Sequence, residues 1–108
     1  MTNIKYKHHD NEYSIVLKGH AESGPTGKDL ACAGLSVLSY TLAQGLRDLK
    51  AEGQLIKFEY ILKSGYTEIK CKSDSFKVPY LFDVVINGYM MLKEAYPNNI
   101  EFNILPLY

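Results

Sequence analysis

The stretch GHAESGPTGKDLACAGLSVL, residues 19–38, joins three kinds of segment end to end. Just upstream, residues 13–18 form a β-branched and aromatic run, so His20 falls at the end of a strand. Residues 21–28 hold two glycines, a proline and no hydrophobic side chain larger than alanine, the composition of a loop. Asp29 can cap a helix by accepting a hydrogen bond from a free first-turn amide, which puts Cys32 in that first turn. The order is strand, loop, helix, with a histidine and a cysteine at the two junctions.

Downstream, at about 100° per residue, Ala31, Leu35, Leu38, Leu42, Leu46 and Leu49 share one stripe, with Asp29, Ser36, Tyr40 and Arg47 opposite. This predicts an amphipathic helix ending near Gly53. Cys32 lies about a quarter turn off the centre of the stripe, on the side of Asp29 and Ser36, a poor place for a core residue.

Upstream, residues 4–8 alternate weakly and precede the polar turn His9-Asp10-Asn11-Glu12, so the chain opens with a β-hairpin. Beyond the helix, residues 55–63 alternate with Ile56, Phe58, Tyr60 and Leu62 on one face. Ser64-Gly65 turns the chain into residues 66–72, where Thr67, Ile69 and Cys71 face inward. Cys71 is expected to be an inert packing thiol.

A second helix follows, with the stripe Val78, Phe82, Val85, Tyr89, Leu92 and Tyr96. Pro79 fits it only in the first turn, where amides have no helical acceptor. Pro97-Asn98-Asn99 stops this helix, and Ile100, Phe102 and Ile104 alternate as a last strand. The expected fold is α/β of the α+β type: two helices packed on a mostly antiparallel five-stranded sheet, in the order ββαββαβ. At 108 residues the chain supports one domain, residues 1–108.

The totals exclude several functions. Twelve basic residues balance twelve acidic ones, leaving no electrostatic footprint for nucleic acid. The most apolar run, residues 30–46, is too short and too polar to span a bilayer, and the N-terminus shows no secretory signal, so a cytoplasmic protein is expected. Two cysteines in a reducing compartment make neither a disulfide nor a zinc site. His8 and His9, adjacent on a strand end, point to opposite faces and do not suggest a metal site. The segment GPTGK is no phosphate loop, because that motif needs glycine where Glu22 stands and Ser or Thr where Asp29 stands. No metal and no cofactor is expected.

Cys32 and His20 carry the chemistry. A cysteine attacks as thiolate, which a helix N-terminus or a neighbouring imidazolium favours. His20 suits a general base that later returns its proton to a leaving amine. The backbone amides of Cys32 and Ala33 are the expected oxyanion donors. Asp29, one turn from Cys32, disfavours the thiolate unless it caps the helix or pairs with His20, and both roles stay open. Ser36 is the hydrogen-bonding neighbour of Cys32, and Gly24, Pro25, Thr26 and Gly27 lie in the loop between His20 and the helix.

The pattern Gly19-His20-Ala21, then Gly27-x-Asp29-Leu30-x-Cys32-Ala33-Gly34-x-Ser36, closely resembles the signature of the ribosomal-processing cysteine protease family, Prp. A weaker likeness continues through Glu94-Ala95-Tyr96 and Asn99-Ile100. Ala31 stands where many members carry valine, and Lys28 where histidine is common; neither change removes a catalytic group. The resemblance implies a bacterial cytoplasmic cysteine endopeptidase with His20 and Cys32 as its dyad. It implies a homodimer, a loop over residues 21–28 that orders on substrate, and removal of the N-terminal extension of a large-subunit ribosomal protein. Alternatives are a phage enzyme acting on capsid or scaffold proteins, a non-catalytic protein-binding module of the same fold, and a redox-sensing thiol, against which no resolving cysteine lies nearby.

Overall fold

A computed structural model of the protein describes residues 1–21 and 29–105. The elements run β1 (Thr2–His9), β2 (Glu12–Lys18), α1 (Leu30–Ala51), β3 (Lys57–Lys63), β4 (Tyr66–Lys72), α2 (Lys77–Ala95) and β5 (Ile100–Leu105). The ββαββαβ order is as expected. The strands form one sheet in the order β3-β4-β2-β1-β5, antiparallel except for the parallel pair β1 and β5.

The β1–β2 hairpin is tighter than its sequence suggests. Its strands reach His9 and Glu12, leaving Asp10 and Asn11 as the turn, with Asp10 at φ 52, a conformation that aspartate tolerates better than most residues. His8 stacks on Tyr13 at 4.2 Å, and its ring Nε2 donates to the Asp10 carbonyl at 2.8 Å. Alternation misleads on this face: β3 begins only at Lys57, Ile56 is 61% exposed and Tyr60 42% exposed, and only Phe58 and Leu62 pack against the core. The Ile56 amide donates to the Lys72 carbonyl at 2.7 Å as the chain enters the strand.

Both helices cover one face of the sheet. Ile4, Ile15 and Ile69 are fully buried beneath them, and Phe82 of α2 rests on Tyr6 and Tyr13 with ring centroids 5.6 and 5.3 Å away. Burying a side chain of this size stabilises by about 1.5–3 kcal/mol. The opposite face carries the alternate residues, among them Lys5, Lys7, Lys18, Lys70 and Lys72, and stays open to solvent.

The helices lock together by leucines set against glycines. A Cβ built on Gly34 would come within 2.9 Å of Leu92, on Gly45 within 2.7 Å of Leu81, and on Gly88 within 2.5 Å of Leu38. Leu38 and Leu92, read above as stripe residues facing the core, are therefore partly buried knobs between the helices. Between them Ser39 donates to the Leu35 carbonyl at 2.8 Å, so Tyr89 must donate its own hydroxyl proton to Ser39, also at 2.8 Å. Burial pushes the Tyr89 hydroxyl up to about 12.

Asp29 caps α1, with Oδ1 accepting the Cys32 amide at 2.9 Å. Pro79 does fall in the first turn of α2. No helix among the described residues is long and apolar enough to cross a membrane.

Candidate active site

The site forms where β2 ends, α1 begins and the β3–β4 turn passes beside them. Beyond β2, Gly19 adopts φ +94, its N–H donates to the Gly65 carbonyl at 2.9 Å, and its carbonyl accepts from Thr2 Oγ1 at 3.3 Å. The strand end is thus tied to a turn on one side and to the start of β1 on the other. The His20 ring lies over Gly65, where an added Cβ would come within 2.8 Å of Nε2. Gly65 also has φ +75, so this position suits glycine on both counts.

Ala21, next in the chain, is fully buried. Its N–H donates to Cys32 Sγ at 3.2 Å and its carbonyl accepts from Asn99 Nδ2 at 2.8 Å. Cys32 is the third residue of α1, partly buried against the core. An N–H donated to sulfur stabilises a thiolate more than a neutral thiol. His20 and Cys32 line one cavity of about 130 Å³, together with Ser36, which is exposed, and with Thr2, Leu17, Leu35, Ser39 and residues 63–67.

Both expected oxyanion donors are engaged at the helix start. The Cys32 amide is taken by the Asp29 carboxylate, and the Ala33 amide donates to the Asp29 carbonyl at 3.0 Å. Capping accounts for this: the side chain satisfies one first-turn donor, and the backbone carbonyl of the cap accepts the first intrahelical bond. Asp29 sits one turn from the thiol and acts there as the helix cap. The candidate substrate loop at Gly24, Pro25, Thr26 and Gly27 lies outside the described residues.

Sequence reasoning missed Thr2, Gly65, Ser39 and Asn99 as site residues. Ser64-Gly65 and Pro97-Asn98-Asn99 were legible as a turn and a helix stop, but no local pattern says that either meets His20 or Ala21. Cys71 lies elsewhere, buried under the helices, where burial pushes its thiol up to about 12. Among the described residues, no group of three or more His, Cys, Asp or Glu is placed to hold a metal ion.

The fold matches solved structures over nearly its whole length. The essential ribosomal processing protease Prp from S. aureus, with a covalently linked product peptide, superposes with a TM-score of 0.83 at 18% identity, covering 97% of this chain and 100% of that one. The same S. aureus protease with a substrate peptide gives 0.75 at 17% identity, with the same coverage. The SMU.848 protein of Streptococcus mutans gives 0.71 at 25% identity, covering 97% of this chain and 94% of that one. A search among curated proteins finds no match. The family model of the cysteine protease Prp matches residues 1–101. The chain belongs to the Prp cysteine protease family.

Proposed function

We propose that this protein is a cytoplasmic cysteine endopeptidase in which Cys32 is the nucleophile and His20 the general base, and that it removes the N-terminal extension of a large-subunit ribosomal protein. The observation that carries the pairing is that His20 and Cys32 line one cavity, with the Ala21 N–H donated to Sγ. The substrate class rests on family membership and on the peptide-bearing S. aureus structures.

The steps follow from those groups. His20 takes the thiol proton, and Sγ attacks the scissile carbonyl carbon, forming a C–S bond and moving the carbonyl electron pair to oxygen. When that pair returns, the C–N bond breaks and His20 gives its proton to the departing amine. Water, deprotonated by His20, then attacks the thioester; the C–S bond breaks, the acid product leaves and Cys32 recovers its proton. The reaction asks for no metal and no organic cofactor. Ser36, which lines the same cavity, serves as a hydrogen-bonding neighbour of Cys32 and not as a second nucleophile.

A homodimer belongs to this reading. The outer sides of the helices support it, because Val37, Tyr40, Tyr80, Val84 and Met91 are all 60–69% exposed and apolar or aromatic. Sedimentation would test the state.

Peptides spanning a ribosomal-protein extension and a phage capsid cleavage region, incubated with the enzyme and read by mass spectrometry, test the activity. We predict cleavage of the ribosomal peptide and loss of more than about a thousandfold in Cys32→Ala and in His20→Ala. Cleavage by Cys32→Ala at the wild-type rate would remove the nucleophile. A preference for the capsid peptide would redirect the substrate.

A further inference from the structure

Asn99 stands between α2 and β5, 78 residues from Ala21 in the chain. Its backbone is held on both sides: the N–H donates to the Tyr96 carbonyl at 3.0 Å, and the carbonyl accepts the Thr2 N–H at 2.9 Å where β1 and β5 begin their parallel pairing. From this fixed base the side chain reaches Ala21 with its Nδ2 2.8 Å from the carbonyl oxygen. A carbonyl only accepts, so the nitrogen end of the amide must face it.

Ala21 is therefore gripped at both of its polar atoms, by Asn99 through its carbonyl and by Cys32 Sγ through its N–H. Its methyl group is fully buried, which removes the remaining freedom of the residue. His20, one residue back, shares this backbone, and Gly19 before it is tied to Gly65 and Thr2. We propose that Asn99 is a positioning residue for the Cys32–His20 pair: by holding the Ala21 carbonyl it sets the backbone that aims the Ala21 N–H at Sγ and carries the His20 ring. This rests on the assignment of Cys32 as nucleophile. It adds a third side chain, from the far end of the chain, that acts through main chain and not on the histidine.

The test compares Asn99→Ala, Asn99→Asp and Asn99→Gln with wild type. The Asp variant keeps the shape but turns a carboxylate oxygen toward the carbonyl; the Gln variant keeps the donor on a longer arm. Iodoacetamide modification of Cys32 is followed by mass spectrometry over a pH series, with Cys71 in the same molecule as internal control. Peptide turnover and thermal melting are measured alongside. For Ala and Asp, Cys32 modification at neutral pH should fall about tenfold, equivalent to an upward move of about one unit in its pH midpoint. The turnover number should fall with KM little changed, Cys71 should stay slow, and Gln should recover part of the loss. Wild-type modification rates in folded Ala and Asp variants would overturn the proposal, as would a loss confined to melting temperature. Failure of both variants to fold would make Asn99 a structural residue and overturn it equally. If Cys32→Ala still cleaves peptide, the nucleophile assignment itself fails, an outcome distinct from unchanged Asn99 variants beside an inactive Cys32→Ala.

Discussion

Cys32 and Cys71 are the same side chain in two environments. Cys71 lies beneath the helices, 5% exposed, and burial alone pushes its thiol up to about 12. Cys32 sits at a helix mouth, on the wall of a cavity, and accepts an N–H from Ala21. Asp29, three residues before Cys32, is engaged there as the helix cap through the Cys32 amide. What separates the two is access and directed backbone dipoles. A low-dielectric site suppresses a thiolate, and a helix start with one aimed amide supports it.

The largest expected contrast is in labelling. Iodoacetamide should modify Cys32 more than about a hundredfold faster than Cys71, which reacts only after local opening of the sheet. Mass spectrometry of the native protein over time measures the ratio; equal rates, or Cys71 first, would abolish the contrast. A smaller effect is expected at the cavity wall. Gly65→Ala places a methyl where His20 Nε2 now lies 2.8 Å from the built Cβ, at a φ of +75, so the ring must move. We predict a fall of about tenfold to a hundredfold in kcat/KM, the scale of a misplacement of about 1 Å, with about 1–2 kcal/mol lost from stability. Unchanged kinetics would show that the ring position at Gly65 is not the working one.

The smallest effect concerns the buried side of the comparison. Cys71 and Tyr89 are each pushed up to about 12, and burial raises Tyr6 and Tyr13 as well. All four are neutral in the fold, whereas the unfolded chain ionises near about 8.5 for cysteine and about 10 for tyrosine. Above those values the unfolded state binds fewer protons than the native state, so stability falls as pH rises. The contribution is complete below about pH 8.5 and is lost toward the folded-state values. Thermal melts should decline from about pH 9 and more steeply past about pH 10, and Cys71→Ala should flatten only the first part. An identical pH curve in that variant would mean that Cys71 ionises in the fold as readily as in the open chain.

Much of this was legible in residue order because local chemistry wrote it. Asp29 before an apolar stripe marked the start of α1, and alternation marked β2 and β4. Local pattern overreached at Ile56, where alternation continued past the strand, and it did not show that Asp29 engages the amides of both Cys32 and Ala33. It was silent about closure. Nothing near Asn99 says that it meets Ala21, and nothing in residues 100–105 says that they pair in parallel with β1. Periodicity reports which face a residue shows to its own element, whereas the site is made by contacts between elements far apart in the chain.

The parallel seam between β1 and β5 carries a consequence in time. Ala21 and Asn99 are separated by 78 residues, on the order of ten seconds of synthesis. Until β5 emerges, β1 lacks its edge neighbour, Thr2 lacks its tie to Asn99, and the Ala21 carbonyl lacks its clamp. A nascent chain can already display the helix mouth and its thiol, yet not the registered backbone that faces it. On the proposed role of Asn99, the clamp that sets the backbone facing the thiol closes only once β5 has been made.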